Sequence, residues 1–485
     1  MAIHLSLSLS RRTTRSGLSP IKVIRILALV ASFTGLVTCS SPVQPLPGRE
    51  DAIQKALQAG TGVVNLPPGI IQISTGLSIP SGAHDLVVQG DPEGTVLRMT
   101  DDFHAKAVIT IHAARGVQLR GISVEGNRDT FQGTFELPPS DVTFAEFYTH
   151  NGLLAEDTAS LSIIDIKFRK IPGFAILINN SSGVVIEKVQ IEESGSRNKS
   201  GRNNTSGGIL LEGGTSDFSV LGSLIRKVSG NGIWTHSLYT APRNRNGRIA
   251  DNHFDTVARD AIQVGHATGI RVENNSGRSI GFPFDAVDAE GGGTPVAIDT
   301  AGNTDRSVYA ANRFEEINGK CIDLDGFHDG EIRGNVCINR LPAESYPHGH
   351  FGIVFNNANP DMQSANITVV ENVIDGAKFG GIFLIGTGHL IARNHLRNLN
   401  VAHCNEEAAR FGCYHFPDEP DLLQSGIYLG RGAERPAPAR GNTVRDNQIS
   451  GYRMSTRCIA LAPGISASDN EIEGNRCADQ AEGKK

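Results

Sequence analysis

The stretch KCIDLDGFHDG, residues 320–330, sets three aspartates and a histidine in one extended pattern. Ile322 and Leu324 alternate with Asp323 and Asp325. Side chains two apart on a strand share a face, so the two apolar residues should point into a core and the two aspartates out of it. His328 and Asp329 follow where the strand should turn. The same apolar frame recurs on both sides of this segment. An isoleucine after a small residue stands at Ile176, Ile209, Ile233, Ile262, Ile298, Ile322, Ile353, Ile382, Ile427 and Ile459.

A second frame carries an asparagine followed by an apolar residue, at Asn252, Asn312, Asn372, Asn394, Asn447 and Asn470. Steps within both frames, such as Ile209 to Ile233 or Asn372 to Asn394, give a repeat of 22 to 24 residues with insertions. That period is too short for a propeller blade, and its strand patterns are wrong for helical repeats. A coil of this length with two or three short strands builds a parallel β-helix. Its apolar residues are buried only when coils stack. Asparagine suits the turn because it tolerates the left-handed conformation, and stacked carboxamides can hydrogen-bond from coil to coil. A sandwich would need no such long-range register.

The 485 residues are 39% hydrophobic and 20% charged, with 55 glycines and a net charge of −6. This mildly acidic balance gives no reason to expect a nucleic-acid partner. Residues 1–39 read as a leader. Arg11, Arg12, Arg15, Lys22 and Arg25 precede the apolar run Ile26 to Val37, which is short for a membrane span. The leader ends on Leu36-Val37-Thr38-Cys39, similar to a lipobox, with Cys39 as lipidation site and residues 40–48 as tether. A lipid anchor would be the one membrane contact. The product is expected at the cell surface or in the periplasm as a lipoprotein, otherwise secreted. Six further cysteines imply disulfides, and short separations favour Cys321 with Cys337, Cys404 with Cys413 and Cys458 with Cys477.

Arg49 to Ala59 reads as a short amphipathic helix with the stripe Ala52, Ile53, Ala56 and Leu57. This helix, the LPPG turn at 66–69 and GISVEGNRD at 121–129 resemble the start of the pectate-lyase-like superfamily. The resemblance implies an all-β, single-stranded right-handed parallel β-helix of about ten coils over residues 49–478, capped by the helix, with a tail at 479–485. It implies no one reaction, since that superfamily holds lyases, hydrolases, epimerases, transferases and non-enzymes. Loops at 127–151, 276–295, 340–351 and 404–425 should wall a groove. The aromatic-rich 131–148 segment is the best lid.

Outward positions read along the isoleucine strands give Glu212, Trp234 and His236, Gln263 with His266 beyond, Asp299, Asp323 and Asp325, Asn356, then Phe383 and Tyr428. Coils stack about 4.8 Å apart, which makes Asp299 and Asp323 neighbours. Close carboxylates raise one another's pKa, and a raised and a normal carboxyl together are the acid and base of glycoside hydrolysis. Asp299, Asp323 and Asp325 are therefore the candidate catalytic acids, with His266 or His328 as proton relay. Trp234, His236, Glu212, Gln263, Lys320 and Asn356 are candidate contacts to a polysaccharide or oligosaccharide. The resemblance supports clustered aspartates in kind, but the motif set of polygalacturonase-like members is absent. A Ca²⁺-dependent lyase on uronates would use the same aspartates as metal ligands, with Lys320 or Arg259 as base. A non-catalytic carbohydrate-binding or structural solenoid is the rival from another class.

Overall fold

The computed structural model describes residues 45–46, 49–202, 205–288, 293–405, 412–413, 418–432 and 435–479. The leader with Cys39, most of the tether and the residues after Asp479 lie outside these. Each coil lays down three short strands, one on each of three faces, and every strand pairing is parallel. One face is a 15-stranded sheet. The other two are joined at a corner into a 27-stranded sheet, where Asn244–Ala250 also pairs with Ile262–Thr268. In chain order a coil runs through the isoleucine face, a middle face and the 15-stranded third face.

The isoleucines fall in register. Ile176 pairs with Ile209, and the line continues through Ile233, Ile262, Ile298, Ile322, Ile353, Ile382 and Ile427 to Ile459. The face begins earlier than the isoleucines, because Leu77, Ile109 and Leu153 hold the same register in three preceding coils. Leu and Ile at this position are buried in one continuous core, with Ile459 at the last coil only partly covered. No single coil could exclude water from these side chains, so burial couples each coil to its neighbours.

The asparagines form a ladder at the turn between the middle and third faces. From Asn252 through Asn275, Asn312, Asn335, Asn372, Asn394 and Asn447 to Asn475, each donates a side-chain N–H to Oδ1 of the next, at 2.9–3.0 Å. Two expectations change here. Asn470 is not on this ladder; it accepts from Asn442 at the preceding turn. The left-handed residue is also the one before each ladder asparagine, as at Asp251, Ala311 and Glu371 with φ of 59°, 55° and 59°. The asparagine keeps an ordinary backbone and spends its carboxamide on its neighbours.

The helix α1 (Arg49–Leu57) packs on the first coils. Only Ile53 and Leu57 of the expected stripe are buried, while Ala52 and Ala56 stay exposed, so one i, i+4 row makes the contact. Glu50 accepts from the backbone N–H of Ser74 and Thr75 at 2.9 Å. Pro45–Leu46, expected within the tether, adds a strand to the edge of the third face. All three expected disulfides are present, with Cα–Cα distances of 6.0, 5.5 and 5.8 Å. The third face also alternates in charge from coil to coil through Arg98, Glu125, Arg169, Glu192, Arg226, Asp255, Arg278 and Glu315.

Candidate functional site

Outward side chains of the isoleucine face form two rows, not one. The first row runs Leu210, Trp234, Gln263, Asp299 and continues past Asp323 to Val354, Phe383 and Tyr428. The second carries Glu212 beside His236, and farther along Asp325 beside Asn356. The split follows from the pleat, because residues two apart on a strand face the same way in separate rows.

Asp299 and Asp323 occupy neighbouring coils and feel each other's charge. Gln263 donates to Asp299 Oδ2 at 2.6 Å, and Lys320 donates to Asp323 Oδ2. Asp260 joins them, paired with Arg259 at 3.2 Å and accepting from Val296 N–H at 2.8 Å. The three carboxylates are only 1–7% exposed. Burial pushes Asp260 up to about 6, with Asp323 adding to the rise against the pull of Arg259. Burial also lifts Asp299 well above the ordinary carboxylate range, and the charges of Asp260 and Asp323 push the same way. Burial alone would lower the Lys320 pKa, but Asp323, with Asp299 and Asp325, outweighs it and the net shift is upward. One oxygen of Asp323, Oδ1, is buried without a hydrogen-bond partner among the described residues.

Asp260 did not stand out in the sequence. Asn231, Asp260, Val296 and Lys320 each lie two residues before a register isoleucine. On an ideal strand that position points inward with the isoleucine. Here the chain is still rounding the corner, so the row supplies polar groups to the cluster. Asn231 donates to Gln263 Oε1 at 2.9 Å and accepts from Asp260 N–H at 3.3 Å.

A cleft of about 290 Å³ opens beside the cluster. Arg259, Gln263, Trp234 and His236 line one side, and Leu137 to Phe144 of the lid line the other. The aromatic segment packs down on the solenoid as expected. Phe144 meets Trp234 at 4.9 Å and Phe174 at 5.8 Å, both edge-on. Trp234 is 7% exposed, so most of its ring serves this packing.

Several expected roles change. Glu212 is buried and accepts from the N–H groups of Phe144 and Ala145, at 3.0 and 2.7 Å, at the start of α2 (Phe144–Phe147). It anchors the lid and does not face the cleft. His266 sits at a bulge against the Tyr239 ring at 4.8 Å, with Arg243, Asp361 and His236 as its charged neighbours. Burial lowers its pKa and Arg243 adds to that. His328 ends the long strand, bonded to Asp329 and Asn303 at 2.7 and 3.0 Å. Neither histidine reaches Asp299. Asp325 accepts from Ala358 N–H at 2.9 Å, and Asn356 turns back on Asn357 N–H at 2.9 Å. The residues do not fit Ca²⁺. Among the described residues no three His, Cys, Asp or Glu converge on a metal position, and Lys320 already takes Asp323. A lyase base is equally ill served, since Lys320 is held as the ammonium and Arg259 is paired with Asp260.

Residues 115–304 match the family described as "Right handed beta helix region". No curated protein matches the chain at a significant level. Among solved structures it is similar to the Dettilon tailspike protein, with a TM-score of 0.52 at 16% identity, over 72% of this chain and 62% of the tailspike. The chain thus spans less than two thirds of that relative. It is also similar to PfbA, a surface adhesin of Streptococcus pneumoniae, with a TM-score of 0.50 at 13% identity, over 83% and 84% of the two chains. The catalytic domain of a GH87 α-1,3-glucanase in complex with tetrasaccharides gives 0.50 at 14% identity, over 90% and 70%. At these identities the likeness speaks for architecture, and with the parallel register of every coil it settles one point: the chain is a right-handed parallel β-helix protein.

Proposed function

We propose that this protein is an exported carbohydrate-active enzyme that hydrolyses glycosidic bonds of an extracellular polysaccharide. The carrying observation is the unequal pair of carboxyls on adjacent coils. Burial and the charges of Asp260 and Asp323 raise the Asp299 pKa well above the ordinary carboxylate range, while Asp323 is tied to the Lys320 ammonium. Coils lie about 4.8 Å apart, near the roughly 5–5.5 Å that separates the two carboxyls of retaining glycosidases. On this reading Asp299 protonates the leaving oxygen and Asp323 attacks the anomeric carbon. Water, giving up a proton to the Asp299 carboxylate, then releases the glycosyl group. Arg259, Gln263 and the edge of Trp234 seat the sugar in the cleft. Three disulfides fit an oxidising compartment, which supports export. The α-1,3-glucanase likeness is consistent with a glycan substrate.

One observation favours a second reading, a saccharide-binding solenoid without catalysis. Each carboxylate of the cluster already has a partner and is nearly closed to solvent. A reducing-sugar assay over a polysaccharide panel that includes α-1,3-glucan separates the two. The hydrolase reading expects new reducing ends with no unsaturated product in the ultraviolet, and loss of that activity by at least a hundredfold in Asp323→Asn. Glycan binding without new reducing ends, or full activity in Asp323→Asn, overturns it.

A further inference from the structure

The corner that holds Asp260 also carries a second cleft, on the side of the third face. Its volume is about 540 Å³. Arg128, Lys170, Lys227 and Arg197 line it, together with two acids, Asp129 and Glu193. The backbone explains the convergence. Lys170, Glu193 and Lys227 end their strands in the left-handed conformation, with φ of 54°, 53° and 51°, so successive coils turn these side chains to the same side.

Arg128 is the fixed member. It donates to the Glu193 carbonyl at 2.5 Å and to Ser229 Oγ at 2.8 Å. Neither acceptor carries charge. Burial lowers the Arg128 pKa, Asp129 beside it pulls the other way, and Arg197 lies near enough for the two guanidinium charges to repel. Lys170 is already taken by Asp129, but the other two cations are looser in their ion pairs. Lys227 stands 3.6 Å from Glu193 and Arg197 stands 3.9 Å from Asp285, both beyond hydrogen-bond distance. Exposed pairs at such distances are worth little, so exchanging them for a ligand anion loses little. A guanidinium held in place by neutral groups, with a second guanidinium and an exposed ammonium beside it, is an arrangement that a carboxylate or sulfate would relieve.

We propose that this cleft binds an acidic saccharide, with its anionic groups seated between Arg128, Arg197 and Lys227. The site is separate from the Asp299–Asp323 cluster and does not depend on that cluster being catalytic. The test uses the full chain in calorimetric titrations with an oligogalacturonate, with dextran sulfate and with neutral dextran. At least one anionic saccharide should bind, and added sodium chloride should weaken it. The two anionic arms distinguish carboxylate from sulfate. The paired change Arg197→Ala with Lys227→Ala should weaken binding about tenfold at an unchanged melting temperature. Arg197→Lys with Lys227→Arg should restore most of it, and Asp323→Asn should bind as the parent does. Neutral dextran binding as tightly as both anionic probes, or the double alanine variant binding like the parent, overturns the proposal.

Discussion

Gln263 donates to Asp299 Oδ2 at 2.6 Å while its own carbonyl accepts from Asn231 at 2.9 Å. The second bond fixes which end of the amide faces Asp299, so the acid is supported by a donor without a formal charge. Neutral support leaves burial and the nearby carboxylates free to raise the Asp299 pKa.

Stability should record this. A carboxyl whose folded pKa is raised contributes stability that is full below its unfolded pKa and is lost as pH climbs through the folded one. For Asp260, at about 6, the loss runs from roughly pH 4 to pH 6 and amounts to about 3 kcal/mol at 1.36 kcal/mol per unit. Asp299 adds a loss in the same direction. Asp299→Asn removes its own part. Urea unfolding of both proteins from pH 4 to pH 8 should show the variant gaining on the parent as pH rises. A pH-independent difference would show that these carboxyls are not raised.

Glu212 carries the lid. Removing its carboxylate leaves the buried N–H groups of Phe144 and Ala145 without their acceptor, at about 1–3 kcal/mol for each. Glu212→Ala should therefore destabilise the lid first, and limited proteolysis within residues 131–148 should accelerate at temperatures where the solenoid is intact. Glu212→Gln keeps one acceptor oxygen and should fall between the two. Equal cleavage rates in all three proteins would mean that aromatic packing alone holds the segment.

The solenoid was legible because its signal is long-range. Ten isoleucines in register and a repeated asparagine leave few other folds, and each local observation reinforces the next. The cluster was half legible. Asp299 and Asp323 follow from the period, since alternation places them on one outward row. Asp260 escaped because the corner breaks alternation just where it sits. Glu212 was misjudged for a different reason, and Trp234 is largely covered for the same one. Both point outward as the pattern requires, but an insertion of some twenty residues folds back over them, and sequence periodicity carries no information on where an insertion lands. His328 shares its strand with Asp323 but stands at its far end, and His266 lies beyond Gln263 on the strand beside Asp299; neither is hydrogen-bonded to the acids, so neither is placed to relay a proton.

The asparagine ladder predicts a cost that propagates. Asn335 accepts from the side chain and backbone N–H of Asn312 at 2.9 and 3.1 Å, and donates to Asn372 and to the Tyr309 carbonyl at 2.9 Å. All of these groups are buried. Asn335→Ala should cost about 3 kcal/mol, because it strands donors of Asn312 as well as removing its own bonds. Asn335→Asp keeps the acceptor but buries a charge where a donor stood, so it should be at least as harmful near pH 7 and milder near pH 4. Chemical denaturation at the two pH values checks both. If the alanine variant unfolds like the parent, the ladder is ornamental.

The alternating charges of the third face give a last expectation. Arg226 stands between Glu192 and Asp255 in register, and it bonds Glu192 at 2.8 Å. These side chains are partly exposed, and each exposed pair contributes only about 0.2–1 kcal/mol. Arg226→Ala should therefore barely move the melting temperature. Arg226→Glu differs, because it sets three carboxylates in a row on adjacent coils, where like charges directly opposite are destabilising. It should cost about 1–2 kcal/mol at low ionic strength, and much of that should return in about 1 M salt, where the screening length falls to roughly 3 Å. Thermal melts of the two variants across ionic strength separate the effects. A loss in Arg226→Glu that salt leaves untouched would place its cause in the packing of the arginine stem and not in the charge pattern.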